Sequence, residues 1–228
     1  FIILGDTFFN NNLSDNYLMK IDSLGNIQWT KRYQRRSGKS LLPTRDGGYL
    51  ITGYGVMKVD SLGNIAWERY YSTLDVVHAV ELDSGFMITG KSKPINAPTD
   101  IVLTRITDSG NVAWPKAYDA GLSERPIKMV RAWDKGFFMA GMSLNVLGNP
   151  GEIYLVKTDS VGESGCNTNV YNLTDTLMSP DTVSFNPQVN TTQDTFRSVT
   201  PTTLSGLIIQ VLCSSVSVPV LTQEKEEV

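Results

Sequence analysis

The sequence predicts an all-β fold of repeated, four-stranded antiparallel units, on three observations. First, one motif recurs: YLMKIDSLGNIQWTKRY over 17–33, VMKVDSLGNIAWERYY over 56–71, IVLTRITDSGNVAWPKAY over 101–118 and IYLVKTDSVGESGC over 153–166. Second, another motif precedes each copy: FIILGD over 1–6, GGYLITGY over 47–54, SGFMITGK over 84–91 and KGFFMAGM over 135–142. Third, the turn glycines Gly25, Gly63, Gly110 and Gly162 are spaced by 38, 47 and 52 residues. A period of about 40 to 50 residues marks propeller blades or another repeat array.

Each unit resolves into four short runs, for example VHAVEL (77–82), FMITG (86–90), IVLTRI (101–106) and NVAWPKAY (111–118), here called a, b, c and d. Four strands make a propeller blade. Runs b and c are nearly continuous in apolar residues, the pattern of strands buried on both faces. Run d alternates, as in Ile65, Trp67, Arg69 and Tyr71, so it is half exposed. Proline cannot donate to a ladder, and Pro115 lies inside the third d run, which predicts that d is the outer rim. The recurring tryptophan of d is expected to pack inward.

The a–b links (Arg45-Asp46-Gly47-Gly48, Asp83-Ser84-Gly85, Asp134-Lys135-Gly136) and the c–d links of the Asp22-Ser23-Leu24-Gly25-Asn26 kind carry the Asp and Gly chemistry of tight turns. Each c–d link offers at most one Asp, too few ligands for an EF-hand-like site, so no metal is expected there.

Composition narrows the function. The chain has 228 residues and a formal net charge of −3, which supplies no electrostatic reason for binding nucleic acid. No apolar run approaches the ~20 residues of a membrane span. The chain opens at Phe1 already reading as strand, which suggests a fragment with further repeats upstream. Cys166 and Cys213 are the only cysteines; in an exported protein an even count favours a disulfide, with two free thiols as the alternative.

Sequence offers little for catalysis. His78 is the only histidine and lies inside a strand without a nucleophile motif, so a structural hydrogen bond is its expected role. No phosphate-binding glycine loop occurs, and Cys/His metal sites are excluded by count. No catalytic residue, metal or cofactor is expected. A pair of carboxylates about 5 to 9.5 Å apart would suffice for a glycosidase and leaves a carbohydrate-active enzyme as the alternative reading.

In combination, GGYLITG followed by a YLMKIDSLGNIQW-type unit resembles the repeat propellers of secreted and cell-surface proteins of Bacteroidetes-type bacteria, over residues 1–165. The Cys-bounded stretch that follows, GCNTNVYNLTDTLMSPDTVSFNP to TTLSGLIIQVLCSS, is similar to the β segment after such repeats. The resemblance implies β-propeller-like repeats of four-stranded antiparallel blades with a C-terminal β extension. It divides the chain into a partial propeller of nearly four blades at 1–165, a Thr/Asn-rich β segment at 166–215 and an acidic tail at 216–228. It also implies export by a type IX route, a sorting domain beyond Val228, and O-glycosylation at Asp-Ser/Thr-apolar triplets such as those holding Thr176 and Thr182. The D-S-L-G-N turn departs in spacing from the Asp box of sialidase-type propellers, so no sialidase chemistry carries over.

In such a meander the a–b and c–d turns share one end and are short and repetitive, while the b–c and d–a links at the other end differ in every repeat. Variable loops on a rigid repeat are where binding resides. The residues expected there are Phe8, Phe9, Asn10, Arg35, Arg36, Lys39, Lys91 and Lys93, an aromatic and basic set suited to an anionic glycan or an acidic protein surface. The expected function is noncatalytic binding or display at the cell surface, with a glycan or protein partner; a structural cargo or spacer is the further alternative.

Overall fold

The computed structural model describes residues 1–8, 14–34, 37–94, 97–144, 151–179 and 182–184, and within them the chain is all β, without a helix. Its strands form four antiparallel sheets, none closed into a barrel. Sheet 1 holds β1 (Ile2–Phe8), β2 (Ser14–Ile21) and β3 (Ile27–Tyr33). Sheet 2 holds β4 (Gly38–Pro43), β5 (Tyr49–Gly53), β6 (Val56–Val59) and β7 (Ile65–Tyr71). Sheet 3 holds β8 (Leu74–Glu81), β9 (Phe86–Ser92), β10 (Ile101–Ile106) and β11 (Val112–Tyr118). Sheet 4 holds β12 (Ser123–Arg131), β13 (Phe137–Leu144) and β14 (Glu152–Thr158). The expected equivalence of 49–53, 86–90 and 137–141 is realised as β5, β9 and β13 in successive sheets.

The core lies between sheets, because b and c strands send successive side chains to opposite neighbours. On β5, Ile51 joins a cluster with Leu18 and Tyr33 of sheet 1, while Leu50 joins one with Leu74, Val76 and Ile88 of sheet 3. On β9, Met87 instead faces Met129, Phe137 and Met139 of sheet 4. Double-sided burial of β5, β6, β9 and β10 is the reason these runs read as continuously apolar, whereas on β14 Ile153 and Leu155 are exposed, a departure from the expected double-sided burial.

The d strands repeat one contact with the following sheet. Tyr33, Tyr71 and Tyr118 each donate a hydroxyl to the carbonyl oxygen of the next sheet's turn glycine, at 2.8 Å for Gly63, 2.8 Å for Gly110 and 2.6 Å for Gly162. Above these bonds Trp29, Trp67 and Trp114 lie so close under the glycines that a Cβ there would come within 2.6–3.0 Å of an indole. The inward packing expected of these tryptophans is what the structure has.

The expected outer rim is corrected by the segment after sheet 4. Instead of completing that sheet, the chain turns back and places β15 (Thr168–Val170) on β11, β16 (Asp175–Leu177) on β7 and β17 (Thr182–Ser184) on β3. Strand d is therefore the last but one strand of sheets 1, 2 and 3. Pro115 fits this arrangement because the added ladder begins at Lys116, one residue beyond it. Asp175 fixes the crossing: it takes a 2.7 Å hydrogen bond from Arg69 and a 3.2 Å bond from the Val112 amide, so one carboxylate holds sheets 2 and 3 together.

Candidate binding surface at the variable end

The a–b and c–d turns use their polar groups internally. Asp22 accepts the amides of Leu24 and Asn26, and Asp60 accepts those of Leu62 and Asn64. The Asn26 side-chain amide, then its backbone amide, hold the Asp22 carboxyl below the usual carboxylate range, and the Asn64 backbone and side-chain amides do the same for Asp60. Asp46 pairs with Lys58 at 2.7 Å and accepts the Thr44 hydroxyl and the Gly48 amide, an arrangement that brings its pKa down to about 2. Such carboxylates are already committed to their own loops. A hollow at this end, about 220 Å³, is open and lined by Arg105, Arg131, Lys135 and Phe137 among others.

At the opposite end the start of each a strand, the b–c links and the end of each d strand meet, and three of the expected residues converge. Lys39, on β4, pairs with Asp75 of β8 at 2.6 Å, and Asp75 lies opposite Lys91 of β9 in register. Lys93, just past β9, sits 5.6 Å above the Tyr70 ring, which stacks on Tyr54 at 5.0 Å. Burial lowers the Lys93 pKa; Asp75 opposes that effect, and Lys39 and Lys91 add to it. The result is a part-exposed aromatic pair flanked by three lysines from two sheets.

Tyr54 and Tyr70 were not among the expected residues. Tyr70 occupies the off-face of a d run, and Tyr54 belongs to a two-residue b–c link, shorter than the loops to which variability drew attention. Phe8 closes β1. Phe9, Asn10, Arg35 and Arg36 lie outside the described residues, as does Cys213. Cys166 follows sheet 4 directly, Thr176 is exposed at the centre of β16, and Thr182 opens β17.

Three carboxylates also gather at this end. Asp100 precedes β10, Asp119 follows β11 and Glu124 lies on β12, and one oxygen from each lies within 4.8 Å of the others. Glu124 is fully buried; its Oε1 accepts the Leu122 amide and the Ser143 hydroxyl, whereas its Oε2 is buried without a partner. Burial raises the pKa of Glu124, with Asp119 and Asp100 adding to the effect, and burial followed by Asp119 raises that of Asp100. Sequence reading missed this group because its members span 24 residues and three elements.

At His78 the expected structural hydrogen bond is not made through Nδ1. Its Nδ1 is buried without a hydrogen-bond partner, and burial, then Lys128, brings its pKa down to about 4. Among the described residues no helix is long and apolar enough to cross a membrane. Comparisons with protein-family models, with curated proteins and with solved structures find no match.

Proposed function

We propose that this chain is a noncatalytic binding or display module of the cell surface or secreted space, taking a glycan or protein partner at its variable end. The observation that carries this reading is the Tyr54–Tyr70 stack with Lys93 over it and Lys39 and Lys91 beside it. Ring faces take the C–H face of a sugar or a planar partner group, and the flanking ammonium groups favour an anionic one. The sequence also assigns Phe8, Phe9, Asn10, Arg35 and Arg36 to variable links of this kind, and they belong to the proposed surface on that ground alone. The opposite end spends its acidic groups on its own turns, which favours the variable end as the site.

On this reading the sheets are blades of a propeller, the protein travels by a type IX route, and Thr176 and Thr182 are O-glycosylation acceptors. The Cys166–Cys213 bond closes the returning segment; alkylation of the unfolded, unreduced protein should label neither thiol. Binding is favoured over glycoside hydrolysis because Glu124, among the described residues the one carboxylate with both a raised pKa and full burial, is enclosed rather than open to a substrate. A glycan array run beside a hydrolysis screen tests the proposal. Retention of anionic glycans without turnover supports it. Turnover of any glycan refutes it, and silence in both assays favours a spacer.

A further inference from the structure

Glu124 breaks the repeat at a buried position. It stands opposite Ser143 on β13, as Leu74 stands opposite Ser92 on β9, and both Glu124 and Leu74 are fully buried. A carboxylate has thus taken a core leucine's place, with one oxygen left unpaired. Burying such a group is costly unless something compensates its charge.

Asp100 shows a matching loss. Ile101 faces Tyr118 as Asn16 faces Tyr33, so Asp100 corresponds to Asp15 of sheet 1. Asp15 has Arg32 at 3.4 Å, but the residue corresponding to Arg32 is Ala117. Among the described residues no ion pair involves Asp100, Asp119 or Glu124. Three carboxylates therefore converge where the repeat elsewhere supplies an apolar side chain or a guanidinium.

We infer that Asp100, Asp119 and Glu124 bind one hard divalent cation, calcium by size and ligand type, which fastens sheet 4 to sheet 3. Calcium takes oxygen ligands at about 2.3–2.6 Å, so oxygens on opposite sides of one ion lie up to about 5 Å apart, in keeping with the 4.8 Å grouping. Three carboxylates supply three to six of its ligands, and water completes the shell. Asp100 and Asp119 come from the two ends of the β10–β11 hairpin and Glu124 from the first strand of the next sheet, so the ion would join consecutive repeats.

The test uses the intact chain, with calcium and terbium as probes. Thermal unfolding after EDTA treatment and with about 10 mM calcium should differ by roughly 3–10 °C. Terbium should luminesce on tyrosine excitation, because Tyr154 lies close enough to feel all three carboxylates. Asp119→Asn, an exposed change that leaves the core intact, should require about tenfold more calcium for the same shift. Glu124→Leu should abolish the shift and raise the melting temperature of the metal-free protein, since leucine is the residue the repeat places there. No calcium shift and no terbium emission would overturn the inference. So would an equal response in Asp119→Asn, or one that magnesium reproduces in both proteins as general screening.

Discussion

Tyr71 donates its hydroxyl to the carbonyl oxygen of Gly110 at 2.8 Å, and this buried bond joins the last core strand of sheet 2 to the turn of sheet 3. Burial, and after it Asp175, raises the tyrosine's pKa well above its ordinary value, so the hydroxyl stays a donor across the accessible pH range. Tyr71→Phe removes the donor, leaves a buried carbonyl unsatisfied and should cost about 1–3 kcal/mol, measured by chemical denaturation. Tyr33→Phe and Tyr118→Phe should cost similar amounts, because the same contact recurs at Gly63 and Gly162.

The turn glycines separate backbone strain from packing. Gly25 and Gly110 both have positive φ, 86° and 80°, but a Cβ on Gly25 meets nothing within 4 Å whereas one on Gly110 meets Trp67 at 2.6 Å. Gly25→Ala should therefore cost about 1 kcal/mol from backbone strain alone. Gly110→Ala should cost distinctly more, read as a larger fall in denaturation midpoint.

The repeat made the strands and tight turns legible: the DSLGN turns, the doubly buried b and c runs of sheets 2 and 3 and the inward tryptophans follow from local pattern, while the apolar β14 is exposed on one face. What escaped was non-local. The added strands β15, β16 and β17 are three residues each, too short to show a period, and their pairing depends on edges made 50 to 150 residues earlier. Lys39, Lys91 and Lys93 were legible as basic residues of variable links, but Tyr70 was hidden in a strand explained by other residues. Glu124 was readable in principle, since aligning β12 with β8 sets it against Leu74.

His78 should give stability a dependence on pH. A base whose pKa falls from 6.5 to about 4 on folding takes up its proton in the unfolded chain first. Its contribution is complete above pH 6.5, declines as pH falls toward 4 and is level below that, a loss of roughly 3 kcal/mol. His78→Gln should flatten that part of the stability profile. An unchanged slope between pH 6.5 and 4 would assign the dependence to carboxylates instead.

The returning segment is held chiefly through Asp175. Its pairing with Arg69 is mostly buried on both sides, at 16% and 18% side-chain exposure, so Asp175→Ala should cost about 1.5–3 kcal/mol. Limited proteolysis should then cut between 166 and 184 while sheets 2 and 3 stay protected, which distinguishes loss of the added strands from global unfolding.

On the proposed function, partner binding belongs to the variable end. The most direct measurement is the affinity of the chain for an anionic glycan recovered from the array, compared between two double variants. One is Tyr70→Ala with Lys93→Ala; the other is Arg131→Ala with Lys135→Ala, which strips the basic hollow at the tight-turn end. Loss of binding at least about tenfold in the first and near-native binding in the second is the predicted result, in keeping with the weight that aromatic anchors carry at binding surfaces. Native binding in the first and loss in the second would place the site at the other end and contradict the claim.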